Sequence, residues 1–228
     1  MLTVDLNADL GEEITDDAGL MAVVTSANVA CGYHAGSVAV MRAVCDLAAA
    51  GGVAVGAQVS YADRENFGRV ELDVDAAVLT EQIADQVGLL REAATAAGIE
   101  VTYLKAHGAL YHRTRRDAVQ AAAVLAGAAG LPVLGMPGEL LTQARAEGRR
   151  TIAEGFPDRA YDGEQLRPRD QPGALVSAEP QIIANAVRLA TSGVESLCLH
   201  GDSPGAVEHA RAVRAALEAE GWALRSFR

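Results

Sequence analysis

Short apolar runs alternate with longer alanine-rich amphipathic stretches along this whole chain, a rhythm that parallel strands with helices packed outside them accommodate best. The strand-like runs are Leu2–Leu6, Ser26–Ala30, Val53–Ala57, Val101–Lys105, Pro132–Gly135, Thr151–Glu154 and Ser196–His200. Helices are expected over Val38–Ala50, Ala76–Ala97, Ala118–Ala129, Glu139–Glu147, Pro180–Thr191 and Gly205–Glu220. Ser37 and Asp117 stand where N-caps belong. Gly51, Gly98, Gly130, Gly148, Gly193 and Gly221 stand where helices end on a left-handed residue. One segment breaks the rhythm: Pro157 to Pro172 is polar, proline-rich and arginine-rich, and is expected to be a long loop. Parallel strands either close into a barrel or form an open doubly wound sheet. An open sheet gathers its polar site at one switch point, whereas here polar residues follow nearly every strand. A seven-stranded parallel (β/α) barrel-like fold is therefore favoured. No linker or compositional shift divides residues 1–228, which read as a single domain.

Half of the residues are hydrophobic and only 4% are aromatic, so aliphatic and alanine packing must build the core. A formal net charge of −11 argues against nucleic acid or an anionic membrane as the main partner, since both are polyanions. The start of the chain has neither a basic segment nor an apolar run of signal length, and no stretch approaches a membrane span. Cys31, Cys45 and Cys198 lie in apolar contexts and read as reduced packing residues, with no zinc-cluster spacing. The setting expected is the cytoplasm.

Only one of the 19 lysine-plus-arginine residues is a lysine, Lys105, and it ends an apolar strand. A lysine brings a compact charge with a movable pKa, where arginine brings a permanently charged fork. His107, two residues on, points to the same side if the strand geometry continues. His34, His107 and His200 all stand at strand ends close to glycine, which permits sharp turns and close ligand approach. Asp5, Asn7 and Asp9 belong to the first strand and its end; Gln58 and Ser60 follow the third. Asp158–Arg159 open the long loop, and Asp202 follows the last strand. In a parallel barrel these ends converge on one face, where active sites form.

Each residue has a structural alternative. An Asp after a strand is more often an Asx-turn or helix cap than a catalyst. Asp5 can be a buried acceptor that ties strands together, and Asp158–Arg159 an ordinary surface pair. Arg64 and Arg69 can be solvent-facing loop charges, while His112 and His209 read as structural. Together the histidine–glycine ends and the lone lysine outweigh these alternatives. There is no G-x-x-x-x-G-K-[ST] phosphate loop, H-E-x-x-H, paired C-x-x-C or G-x-S-x-G motif.

Several blocks, in order along the chain, resemble the LamB/YcsF family. They are Asp5-Leu6-Asn7-Ala8-Asp9-Leu10-Gly11-Glu12, Ser26-Ala27-Asn28-Val29-Ala30-Cys31-Gly32-Tyr33-His34-Ala35-Gly36 and Asp63-Arg64-Glu65-Asn66-Phe67-Gly68-Arg69. Lys105-Ala106-His107-Gly108-Ala109-Leu110-Tyr111, Pro168-Arg169-Asp170-Gln171-Pro172-Gly173-Ala174 and Cys198-Leu199-His200-Gly201-Asp202 continue the resemblance. It implies a barrel related to glycoside hydrolase and deacetylase barrels, acting as the A subunit of an ATP-dependent 5-oxoprolinase. The reaction so implied opens the lactam of 5-oxo-L-proline with water to give L-glutamate. ATP would be the co-substrate with Mg²⁺, subunits B and C the partners, and a homo-oligomer is compatible with this. The chain departs from the family pattern at Gln58-Val59, where the family has His-Pro, and at Ala62, Ala106 and His112. A neutral amide is a poor substitute for imidazole on a transition metal. Any metal site would therefore draw on Asp9, His34 and other groups.

On this reading Asp9, His34, Lys105, His107 and His200 are the expected catalytic groups. The carboxylate and imidazoles would activate water near neutral pH, and Lys105 would stabilise a phosphate or developing oxyanion. Arg69 and Arg159 would grip the substrate carboxylate, with Asp5, Asn7, Asn66 and Asp202 completing the binding set. Two rivals remain open from the residues. One is a metal-dependent deacetylase-like amide hydrolase, which the aspartate and histidine strand ends suit. The other is a non-catalytic subunit that binds 5-oxoproline.

Overall fold

The computed structural model describes residues 2–163 and 165–227. Along the chain run β1 (Leu2–Leu10), α1 (Asp17–Met21), β2 (Ser26–Ala30), α2 (Val38–Gly51), β3 (Ala54–Val59) and α3 (Ala76–Ala96). Next come β4 (Val101–Ala106), α4 (Gly108–Arg113), α5 (Ala118–Gly127), β5 (Val133–Gly135), α6 (Glu139–Ala146) and β6 (Thr151–Gly155). The last part holds β7 (Tyr161–Asp162), β8 (Gln165–Leu166), α7 (Glu179–Thr191), β9 (Ser196–Leu199), α8 (Ala206–Ala219) and β10 (Trp222–Leu224). Strands pair in the order β1-β2-β3-β4-β5-β6-β9, and β9 pairs back onto β1, closing a seven-stranded parallel barrel. β10 lies outside that ring, on the first residues of β1, with Leu2 opposite Trp222.

The local signals behave as their chemistry demands. Ser37 caps α2 by accepting from Val40 N, and Asp117 caps α5 by accepting from Val119 N and Gln120 N. α2 ends one residue later than expected: Gly51 is its last residue and Gly52 takes the left-handed position at φ +66°. The stretch from Pro157 to Pro172 is not a structureless loop. It contains the β7–β8 antiparallel hairpin, bracketed by an isolated bridge of Arg159 to Leu175.

Alternation sorts the barrel residues into two environments. Leu6, Ala8, Leu10, Val29, Val55, Ala57, Val59, Leu104, Val133 and Leu197 are buried in the continuous apolar core, which also includes the helix residues Val44, Leu79, Ile83 and Val213. The opposite face of the strands forms a separate, mostly polar interior. A small plug of Ala54, Tyr103, Leu134 and Ile152, with Phe227 against it, fills one level. Gly56 makes that packing feasible, because a Cβ there would lie 2.1 Å from the Tyr103 ring. Polar side chains meet along the rest of the interior. Asp5 Oδ1 accepts from Thr25 and Ser26, each at 2.6 Å, and Oδ2 accepts from Ser196. Asn7 donates to Ser196 at 2.7 Å, while Asn28 donates to Asn7 and Asp9 at 2.7 and 2.9 Å. These groups satisfy one another, which a buried polar interior requires.

Candidate active site

At the C-terminal ends of the strands the interior opens into a cavity of about 790 Å³. Asp9, Glu12, Lys105, His107, Tyr111, Phe156, Arg159 and His200 line it. Lys105, on β4, is 2% exposed. Its Nζ lies 3.1 Å from Asp9 Oδ1, 2.7 Å from Glu154 Oε1 and 3.1 Å from Cys198 Sγ. Burial alone would lower its pKa, but Asp9, Cys198 and Glu154 raise it well above the usual lysine range. Burial alone would likewise raise Asp9, yet the Lys105 ammonium above all holds that carboxyl well below its ordinary value. The pair is therefore ionic, and Lys105 is a fixed positive charge rather than a base. Tyr111 braces it from below, donating to Glu154 Oε2 at 2.9 Å while accepting from Met136 N at 2.8 Å.

His107 follows β4 in extended conformation (φ −120°, ψ 150°), so it continues the strand and shares the Lys105 side. Its Nδ1 lies 3.0 Å from Gln58 Nε2, and its Nε2 lies 3.2 Å from Phe67 O. Gln58 can only donate through Nε2, which makes His107 Nδ1 the acceptor and leaves Nε2–H to donate to the carbonyl. Burial, His34 and Lys105 push its pKa well down, so it is neutral. Phe67 takes a left-handed φ of 58°. Gly108 follows His107 for a steric reason: its φ is +60°, and a Cβ would lie 2.2 Å from Gly68 O. His34 stacks on His107 with ring centroids 4.1 Å apart. It is buried, and neither of its ring nitrogens has a hydrogen-bond partner among the described residues.

Across the cavity, the buried Asp158 carboxylate holds His200 through Nδ1 at 2.9 Å and accepts from the His200 backbone N–H at 2.9 Å. Burial lowers the imidazole pKa, but Asp158 more than reverses this and raises it above the usual value. Phe156 stacks on His200 at 5.4 Å and also faces Lys105 Nζ at 5.4 Å. Arg159 is 4% exposed, with hydrogen bonds to the carbonyls of Ala174 and Arg167. Asp202 Oδ2 accepts from both Arg69 and Arg169, each at 2.7 Å, tying the loop after β3 to the long segment before α7. Arg69, Arg159 and Arg169, with Arg116, thus bring four guanidinium groups to the cavity lining.

The expected residues separate into two sets. Asp9, Lys105, His107, His200, Arg69, Arg159 and Asp202 line one cavity, with His34 directly behind His107. Asp5 and Asn7 do not line it: they lie deeper, as acceptor and donor between strands. Asn66 donates to Asp63 at 2.7 Å within its own loop and is also absent from the lining. Asp158–Arg159 is a buried pair rather than a surface one, and His112 lines the cavity. Glu154 and Cys198 belong to the site without being expected there, although an acid inside the apolar Thr151–Glu154 run is a usable signal; Asp158 stands among the strand-end groups read from the chain, but its partnership with His200 is not expected from it. The Cys198 thiol packs within the apolar core and also meets the Lys105 ammonium.

Comparison with known proteins adds a family match, two relatives and two solved structures. The LamB/YcsF family model matches residues 4–228. The A subunit of 5-oxoprolinase from Streptomyces griseus is 51% identical, over 98% of this chain and 99% of its own. The protein of the same name from Mycolicibacterium gilvum is 45% identical over the full length of both. Among solved structures, a lactam utilization protein from Thermus thermophilus superposes with TM-score 0.92 at 36% identity, covering 99% of this chain and 100% of that one. A family 4 carbohydrate esterase from Streptomyces lividans shares the fold alone, with TM-score 0.53, 12% identity and coverage of 99% and 93%.

Proposed function

The chain belongs to the LamB/YcsF family, and from that premise we propose that it is the ring-opening A subunit of an ATP-dependent 5-oxoprolinase. Its substrate is 5-oxo-L-proline and its product L-glutamate. The observation that carries this reading is the Lys105 ammonium, fixed by Asp9 and Glu154 in the same cavity as the Asp158–His200 pair.

An unstrained five-membered lactam is a poor electrophile with a poor leaving group. ATP, with Mg²⁺, supplies the activation by phosphorylating the carbonyl oxygen, and subunits B and C are the partners that complete the reaction. Water then attacks the activated carbon. His200, oriented through Nδ1 by Asp158, takes the water proton at Nε2 and delivers it to the ring nitrogen as the C–N bond breaks, which leaves γ-glutamyl phosphate; hydrolysis of that acyl phosphate then releases L-glutamate and inorganic phosphate. The Asp158 carboxylate stabilises the imidazolium that forms when His200 takes the proton. Lys105 faces the phosphoryl group and offsets its negative charge. Asp9 keeps that ammonium charged and in place. Arg159 and Arg69 hold the substrate carboxylate, where a guanidinium fork fits two oxygens. The three cysteines are buried and free, which supports a reducing, cytoplasmic setting.

Lys105→Arg tests the assignment, because a larger fork cannot occupy the space between Asp9, Glu154 and Cys198. Glutamate release from 5-oxo-L-proline and ATP by the reconstituted complex should fall by about 10²–10³-fold, with an unchanged far-UV circular dichroism spectrum. Undiminished turnover in a folded variant would refute the role.

A further inference from the structure

Where β1 to β4 end, Glu12, His34 and His107 each offer a ligand atom, and these atoms all lie within 4.8 Å of one another. Glu12 Oε1 is 3.9 Å from His34 Nε2 and 3.6 Å from His107 Nδ1. Ligands on one zinc-sized cation at about 2.0–2.1 Å stand roughly 3.3–4.1 Å apart, depending on the angle between them. The two separations from Glu12 fall within that span.

Two further observations point at a ligand. His34 is 1% exposed and both of its ring nitrogens lack partners among the described residues. A buried imidazole with neither nitrogen satisfied is costly. Gln58, which is fully buried, presents the second anomaly. Its Nε2 donates at 3.0 Å to both Glu12 Oε1 and His107 Nδ1, while its Oε1 has no partner among the described residues. The two amide hydrogens thus stand between the carboxylate and the imidazole lone pair, where a cation would stand. Rotating the amide by half a turn would bring Oε1 to the same place. Three acceptors would then converge, which is repulsive unless a cation lies among them.

We propose that Glu12, His34, His107 and the side-chain oxygen of Gln58 form a divalent-cation site in which rotation of the Gln58 amide exchanges a metal-free for a metal-bound arrangement. Two imidazoles with a carboxylate and an amide oxygen select late first-row cations such as Zn²⁺ or Co²⁺, whereas Mg²⁺ and Ca²⁺ favour sets made wholly of oxygen. The site stands independently of the identity of the substrate.

The test uses the full chain, stripped with chelator and titrated with Zn²⁺ by calorimetry and with Co²⁺ by visible absorption. One equivalent of either metal should bind, and Co²⁺ should develop d–d bands of a nitrogen–oxygen site. His34→Ala and Glu12→Gln should each weaken binding at least about 10-fold. Gln58→Glu separates this site from incidental surface binding, because a carboxylate has no donor end. It should lower Tm in chelator by repulsion from Glu12, and it should show a larger Tm rise with Zn²⁺ than the native chain. No stoichiometric uptake by the native chain would overturn the proposal. So would equal uptake by His34→Ala and Glu12→Gln, or a Gln58→Glu variant whose Tm responds to Zn²⁺ no more than the native one. If His34→Ala fails to fold, the Glu12 and Gln58 variants decide the matter alone.

Discussion

The same residue types act differently in this cavity because their partners differ. His107 has both nitrogens engaged and is neutral, whereas His200 spends only Nδ1 on Asp158 and has a raised pKa. Asp158→Asn should therefore lower turnover by about 10²–10⁴-fold, the usual contribution of positioned acid–base groups. The His200 pKa should fall in the same variant, read from imidazole resonances in a nitrogen-15 titration. The stability effect has a definite sign. Charged His200 contributes stability that is fully present below the unfolded imidazole value of about 6.5 and lost as pH rises through its raised folded value. The gap in Tm between the native chain and Asp158→Asn should be largest near pH 5 to 6 and narrow in alkali. A gap that widens with pH would contradict the pairing. Lys105, His107 and His200 are legible from the chain because each breaks its local pattern: one lysine among arginines, and imidazoles placed where strands end. Asp158 is only half legible: its place at a strand end is visible, but an Asp–Arg dipeptide opening a polar loop also reads as a surface pair until its burial is known. Gln58 stands out for what it replaces, but its two hydrogen bonds exist only once β1, β3 and β4 are side by side.

At the scale of elements, the chain announces what is long and hides what is short. All seven barrel strands begin within about two residues of where valine-rich runs predict, because their outer face is continuously apolar. α1, α4, β10 and the β7–β8 hairpin escape notice, being only two to six residues each, too short to display a period. The inner face carries information that periodicity cannot, namely which residue must be small. Gly56 stands opposite Tyr103 in the β3–β4 register, and the Tyr103 hydroxyl donates to Asn28 at 2.7 Å. Gly56→Ala should cost at least about 2 kcal/mol by overpacking, measured as a lower urea midpoint at unchanged m-value. A variant as stable as the native chain would mean that the tyrosine can leave the barrel at no cost.

The whole molecule is organised around β1, which pairs with β10 at its start and with β2 and β9 further along. That arrangement supports a single cooperative unit spanning the chain. Trp222, the only tryptophan, lies on β10 and reports the outer end of the barrel. Its fluorescence and the far-UV circular dichroism should follow one urea transition. A tryptophan signal lost well before the helices unfold would mark β10 as a separate, weaker piece. No helix is long and apolar enough to cross a membrane among the described residues. The closing pairs, Asp5 to Ser196 and Ala8 to Leu199, join residues 191 positions apart. A ribosome emits Asp9 early and His200 late, so a nascent chain holds its first strand in waiting, polar edge unpaired, until the ninth emerges. Chaperone protection of that early strand during synthesis is therefore a demand written into the topology itself.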